Sequence, residues 1–420
     1  MPHDGLRPSP EGSLRALAPA IAATIACRTT LNAARRFIYP FAPDLSRTLE
    51  VPLTAVTGLI AANWATNLLG LAVAPLADRF GYRPVMLVGM ALPAVGMLAA
   101  GAAPVFAVIV LSQVLAGLGK SVFDPAVQAW VSARVPYRQR GLAIGFLETA
   151  WAASTLIGIP LLAWTIDRAG WRWAFVGLGL SSLAGLALIA AATPGRERTP
   201  GRDRRVSGPG NGFRELLRSR AATGLAGGIF CFNLAMDNLF VVYGVWLEEA
   251  FGLSLLALGL GTAVIGAAEL AGEFLTAGFA DRIGLKRTVL GGVAACVLTY
   301  AALPWVAVTV PLALGGLFVH FCLFEMTVVT AVSLATELLP EHRATMLSAY
   351  YAAAGLGRVA GALAGGMVWL AGGIFATGIV SAVATVAALG CLGWGLRGWT
   401  EPGSAVGADP VISVRHAKRH

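Results

Sequence analysis

Residues 70–83 read GLAVAPLADRFGYR and residues 273–286 read EFLTAGFADRIGLK, so Ala-Asp-Arg-x-Gly occurs twice in one chain. Each copy lies between two long apolar segments, and together they divide the 420 residues into matching halves. Aligning Asp78 with Asp281 also sets Leu49-Glu-Val-Pro beside Gly252-Leu-Ser-Leu. The same alignment sets Val135-Pro-Tyr-Arg-Gln-Arg-Gly beside Leu339-Pro-Glu-His-Arg-Ala-Thr. Three matches in order, at a nearly constant offset, mark a duplication. Repetition on this scale in an apolar chain points to the paired halves of a membrane carrier.

Composition fixes the solvent. Hydrophobic residues make up 57% of the chain, charged residues 13%, and mean hydropathy is +0.72. A soluble domain carries about 25% charged residues, so lipid must cover much of this surface. Apolar runs recur at 14–40, 52–76, 84–103, 105–132, 141–164, 172–193, 221–246, 254–278, 287–307, 309–336, 345–370 and 374–397. Each approaches or exceeds the ~20 residues that cross ~30 Å of hydrocarbon as a helix. None alternates with period two, which excludes a barrel, and backbone groups in lipid must be satisfied within a helix. The expected fold is an all-α membrane protein with twelve transmembrane helices in two pseudo-symmetric six-helix bundles. Residues 1–194 form the first bundle, 195–220 a basic linker, 221–400 the second bundle and 401–420 a tail. The first apolar run is too long and too charged for a cleaved leader, so it reads as a retained anchor.

Positive charge orients the chain. Alternate loops hold most of the 31 Lys and Arg residues, eight of them in residues 195–220. The intervening loops hold only Arg47, Arg168 and Arg172. The positive-inside rule then places both termini in the cytoplasm of a multi-pass protein of the cytoplasmic membrane. The net charge of +9 needs no nucleic acid, because it faces an anionic leaflet. The linker reads GRERTPGRDRRVSGPGNGFRELLRSR. Phe213, Leu216 and Leu217 set against Arg214, Arg218 and Arg220 suit either a short amphipathic helix or a solvated basic loop. The five cysteines have no ligand spacing and read as small packing residues.

The repeated loops resemble the signature of the major facilitator superfamily of secondary transporters, Gly-x-x-x-Asp-Arg-x-Gly-Arg-Arg/Lys. Asp78, Arg79, Gly81 and Arg83 match in the first copy, with Ala74 and Tyr82 as departures. Asp281, Arg282, Gly284, Lys286 and Arg287 match in the second. Gln113-x-x-x-Gly117-x-Gly119 is similar to the family's Arg-x-x-x-Gly-x-Gly segment, with glutamine replacing arginine. Gly158-Ile-Pro160 is a degenerate form of its antiporter element, and Gly170-Trp-Arg-Trp-Ala-Phe resembles its usual entry into the sixth helix. The resemblance implies alternating access and a cavity lined by helices 1, 4, 7 and 10. It also implies proton-coupled movement of a small solute, with export the leading direction. Uptake of an organic acid or sugar, lipid translocation, and a non-transporting sensor stay open.

The loop residues have a physical role of their own. A carboxylate ending one helix beside basic residues opening the next can join neighbouring helix ends by charge-assisted bonds. Gly81 and Gly284 permit a turn with positive φ. Such a latch is either a gate that breaks as the halves rock or a static turn. Asp124 is expected to join Arg79 in it.

Ionisable groups inside spans mark function, since each costs ~2.5–3.5 kcal/mol at a helix centre on insertion scales. Arg28, Asn32, Arg36 (or Arg35) and Tyr39 share one stripe of the first helix. They either line a cavity for an anionic or hydrogen-bonding substrate, or snorkel and neutralise carboxylates. Lys120 is expected to pair with Glu148 between helices 4 and 5. In the second half, Asp237, flanked by Asn233 and Asn238, and Glu269, one turn from Glu273, are the leading proton-coupling groups. Glu325 and Arg358 complete the set, Arg358 as partner to one of the acids. No nucleotide loop, catalytic constellation or metal cluster is present in the sequence, so neither an enzyme nor a cofactor is expected. The expected partners are a small solute, protons and lipid, with the chain acting as a monomer.

Overall fold

A computed structural model describes residues 14–135, 137–193, 215–339 and 342–400. The first half comprises α1 (Leu14–Arg36), α2 (Ile38–Thr48), α3 (Leu53–Phe80), α4 (Tyr82–Ala102), α5 (Phe106–Arg134), α6 (Tyr137–Ala153), α7 (Ile159–Ala169) and α8 (Trp171–Ala192). The second comprises α9 (Arg220–Phe240), α10 (Tyr243–Phe251), α11 (Leu255–Ile283), α12 (Leu285–Val306), α13 (Val310–Leu338) and α14 (Arg343–Gly395). Among the described residues, nine helices are long and apolar enough to cross a membrane. The last of these, Thr345–Gly395, doubles back at Gly372 and Gly373 and so provides two rods. The rod of α1 and α2 is not among the nine. Arg28, Arg35 and Arg36 lower its mean hydropathy.

Several rods are interrupted where the sequence demands it. α1 runs into α2 through Phe37, whose N–H still reaches the Ala33 carbonyl at 3.0 Å. Between α6 and α7 lies a π-helical turn, Ser154–Gly158. Pro160 follows it and lacks an N–H to donate. Widened turns of this kind relieve such a mismatch and re-aim side chains. This one carries Thr155 towards the second half. Gly81 and Gly284, at matching places in the repeat, adopt φ of +86° and +93°. Both serve as the sharp turns expected of them, because only glycine enters that region without strain.

Lipid-facing flanks carry exposed large side chains such as Leu298, Trp305, Leu370 and Ile379. The buried core runs through both halves and across their seam. The expected linker lies largely outside the described residues. Its last part, residues 215–218, is helical. Leu216 is buried in the core while Leu217 is exposed, and Glu215 meets His342 at 2.9 Å. Phe213 and Arg214, which the amphipathic reading also uses, lie outside the described residues.

The halves meet closely at the end of the bundle opposite the linker. A Cβ placed on Gly266 of α11 would stand 2.9 Å from the Thr155 Cβ, and one on Gly366 of α14 would stand 2.8 Å from the Thr57 hydroxyl. Tyr39 packs on Phe240 with ring centroids 4.4 Å apart, and Arg47 pairs with Glu248 at 2.8 Å. Towards the linker end the seam loosens. Glu148 of α6 and Tyr351 of α14, electrostatic neighbours, are 42% and 58% exposed.

Gly366→Leu should wedge the closed end apart. Overpacking of this kind costs about 1–3 kcal/mol, roughly a 5- to 150-fold shift between conformers. Distances between spin labels placed on α2 and α10 should lengthen, whereas an unchanged distribution would mean the contact at Gly366 does not hold the closed state.

Candidate functional site

The site is a column of charge rising along α1 and meeting the second half at its upper levels. At the lowest level the Arg28 Nε donates to Asp124 Oδ1 at 3.2 Å, and its two Nη atoms donate to the Glu148 carboxylate at 3.0 and 3.2 Å. The Lys120 Nζ donates to Asp124 Oδ2 at 2.6 Å. All four groups belong to the first half and clamp α1, α5 and α6 together. One expectation fails here. Lys120 pairs with Asp124, not Glu148, because both lie one turn apart on α5 while the longer Arg28 reaches α6. Asp124 accepts from Arg28 and Lys120 within the span, and the Arg79 side chain expected to join it lies outside the described residues.

One level up, α1 reaches across the seam. The Arg36 Nη2 donates to Glu269 Oε1 at 2.5 Å, and Nη1 donates to Glu269 Oε2 at 3.1 Å and to the Thr155 hydroxyl at 2.7 Å. The guanidinium lies over the Trp151 ring, 4.2 Å from its centroid. Arg36 is buried, contrary to the alternative in which it snorkels. Both Glu269 oxygens are held by this fork.

At the adjoining level Asp237 accepts from the Tyr39 hydroxyl at 2.9 Å and from the Arg358 Nη1 at 3.0 Å. The Trp64 Nε1 donates to the Tyr39 oxygen. Trp64 also carries two guanidinium groups over its ring, Arg35 at 3.6 Å and Arg358 at 4.4 Å. Asp237 lacks a basic residue on its own helix but finds one on α14, and Tyr39 supplies its bond across the seam. The flanking amides do not serve it. The Asn233 Nδ2 donates to the Ile229 carbonyl at 2.9 Å, and the Asn238 Nδ2 donates to Ser381 and to the Thr377 carbonyl.

Glu325 stands on α13 with its Cβ opposite Gly272, next to Glu273 on α11. Among the described residues neither acid forms an ion pair, so Arg358 serves Asp237 and not these. Sequence reasoning assigned no role to Trp64 and named Arg35 only as the alternative to Arg36 on the stripe. A lone tryptophan in an apolar helix gave no sign of a cation platform.

For the loop motifs, the side chains of Asp78, Arg79 and Asp281 lie outside the described residues. The Arg83 Nη2 donates to the Ala190 carbonyl in the last turn of α8 at 2.6 Å. In the second copy the Lys286 Nζ donates to the Trp399 carbonyl, just past α14, at 3.1 Å. Equivalent cations thus bind carbonyls at equivalent helix ends, where the helix dipole favours positive charge. Arg282 is exposed.

Two bundles of the same topology, with paired charge at their seam, are the architecture of a carrier. The profile of the Major Facilitator Superfamily matches residues 24–362, and a second match covers 225–414. The chain belongs to the major facilitator superfamily. This superfamily member is 24% identical over 359 residues to the uncharacterized MFS-type transporter YwfA of Bacillus subtilis, covering 83% of this chain and 85% of that one. It is 32% identical over 210 residues to the tetracenomycin C resistance and export protein of Streptomyces glaucescens, covering 47% of this chain and 36% of that one. Among solved structures, a bacterial homolog of the human lysosomal transporter Spinster, inward-facing and occupied, superposes with a TM-score of 0.72 at 16% identity. That match covers 90% of this chain and 97% of the other. A point mutant of the nucleoside transporter NupG gives 0.73 at 11% identity over 91% and 100%. The chain is a multi-pass membrane transporter of this fold.

Removing one partner of a buried ion pair costs about 3–5 kcal/mol, because the other charge is left uncompensated. Arg36→Gln and Glu269→Gln should each lower the unfolding midpoint of the purified protein. The double variant should be less destabilised than the two single changes summed. Additive losses would mean the fork does not couple the halves.

Proposed function

We propose that this transporter exports a small solute from the cytoplasm in exchange for protons, by alternating access of one central site. The observation that carries the reading is that both charged bonds across the seam at mid-column end on buried carboxylates of the second half, Asp237 and Glu269. A protonated carboxyl no longer attracts Arg36 and accepts more weakly from Tyr39. Proton occupancy and closure of the seam are therefore linked, and a coupled carrier needs that linkage. With the linker end cytoplasmic, as the loop charge favours, the closed end faces outward. Opening it exposes both acids to external protons, and closing it returns them to the cytoplasmic cavity.

The names of the relatives support export as the direction. One is a resistance and export protein, and another, the multidrug resistance protein MdtH of Aeromonas salmonicida, is 28% identical over 158 residues. The superfamily's loop motif adds a gate, with Asp78 and Asp281 each bonding basic groups at neighbouring cytoplasmic helix ends. Asp78→Asn should slow cycling more than it weakens substrate binding, since a gate acts on populations rather than site contacts. Equal losses in both would assign Asp78 to folding or to substrate.

The coupling experiment uses everted and right-side-out vesicles with an imposed pH gradient. Proton-driven accumulation should appear in everted vesicles, where export becomes uptake. Asp237→Asn should abolish that accumulation while counterflow exchange of substrate stays measurable. Accumulation that persists in the asparagine variant would remove Asp237 as the coupling group, and accumulation only in right-side-out vesicles would reverse the direction.

A further inference from the structure

Among the described residues, one buried cation on the column is left over. Arg28, Arg36, Lys120 and Arg358 each sit in a salt bridge. Arg35 is 3% exposed, and among the described residues it has no carboxylate partner. Its Nε and Nη2 find no hydrogen-bond acceptor. These two nitrogens form one edge of the guanidinium, the edge that binds two oxygens of a carboxylate side by side. The acids whose fields reach Arg35 are Asp124 and Asp237. Asp124 is bonded to Arg28 and Lys120, and Asp237 to Tyr39 and Arg358.

A second orphan lies one helical turn away on the same helix. Asn32 is 1% exposed, and both its Nδ2 and its Oδ1 lack partners. Residues three apart on a helix stand about 5–6 Å apart at Cβ, within reach of one small ligand. Arg35 also lies at the seam, since the Trp64 ring beneath it is shared with Arg358 of the other half. A buried guanidinium and a buried amide without partners are costly in an apolar interior. Here they sit where alternating access would place the solute.

We propose that Arg35 and Asn32 form the substrate subsite for a small organic carboxylate. The Nε–Nη2 edge binds both carboxylate oxygens, and the Asn32 amide takes a neighbouring donor or acceptor of the same molecule. This inference rests on the transport reading, because it assigns the chemistry of the carried solute. Its test needs no gradient and no turnover, so the two readings can fail separately.

The experiment measures thermal stabilisation of the full chain purified in detergent, titrated with acetate, lactate and benzoate. Their neutral amides and chloride serve as controls. A ligand bound to the folded state alone raises stability with concentration. At least one carboxylate should stabilise the protein where its amide and chloride do not. Arg35→Gln should weaken that response by about tenfold or more and, having lost an unpaired buried charge, should unfold at a higher temperature without ligand. Arg35→Lys keeps the charge but not the edge, and should respond more weakly than the native chain. Asn32→Ala, a milder change on the same turn, should weaken the response without loss of folding. The proposal is overturned if no carboxylate outperforms its amide, if chloride matches the carboxylates, or if Arg35→Gln responds like the native chain. Carboxylate binding without proton-driven transport would keep the subsite and remove the coupling reading.

Discussion

A charge taken out of water is costly until it is paired, and most of the arrangement of this protein follows from that constraint. An ammonium or carboxylate buried alone costs several kcal/mol even after relaxation. Arg36 and Glu269 are both buried and sit on different halves. Each can be compensated by the other only while the halves are closed at the end opposite the linker. The bond therefore stabilises the relative position in which the two halves meet at that end.

The remaining charges divide by what they hold. Arg28, Lys120, Asp124 and Glu148 bind within the first half, and Asp237 with Arg358 within the second. Arg83 and Lys286 tie equivalent helix ends inside their own halves. These bonds join helices within each bundle. Among the described residues, the hydrogen bonds and ion pairs that cross the seam include Arg36 to Glu269, Thr155 to Glu269, Tyr39 to Asp237 and Arg47 to Glu248. Local backbone features serve the crossing bonds. The π turn before Pro160 presents Thr155 to Arg36, and the bare surface of Gly266 lets α11 approach that same turn.

The fold was legible because its causes are local and periodic. Run length fixed the helices, the doubled Ala-Asp-Arg-x-Gly fixed the duplication, and the two turn glycines needed no long-range information. The stripe Arg28, Asn32, Arg36 and Tyr39 was legible for the same reason, as helical spacing places those residues on one face. Lys120 beside Asp124 was available from spacing too, yet the choice between Asp124 and Glu148 as its partner depended on how far α6 stands from α5. Asn233 and Asn238 looked like neighbours of Asp237 in sequence, but helix rotation turns their amides to other acceptors.

The sequence by itself determined the class of solvent, the number and order of apolar runs, the two matching halves, and the charged residues that had to find partners in lipid. It determined these because hydropathy, periodicity and repetition are properties of a single strand of residues. Only the tertiary structure decided who pairs with whom. Glu269 met Arg36 instead of staying beside Glu273, Asp237 took both Tyr39 and Arg358, and Arg35 was left stacked on Trp64 with its edge unbonded. Ion pairing depends on distances of a few ångströms between helices remote in sequence, and no pattern along one chain encodes the rotation and tilt that set them.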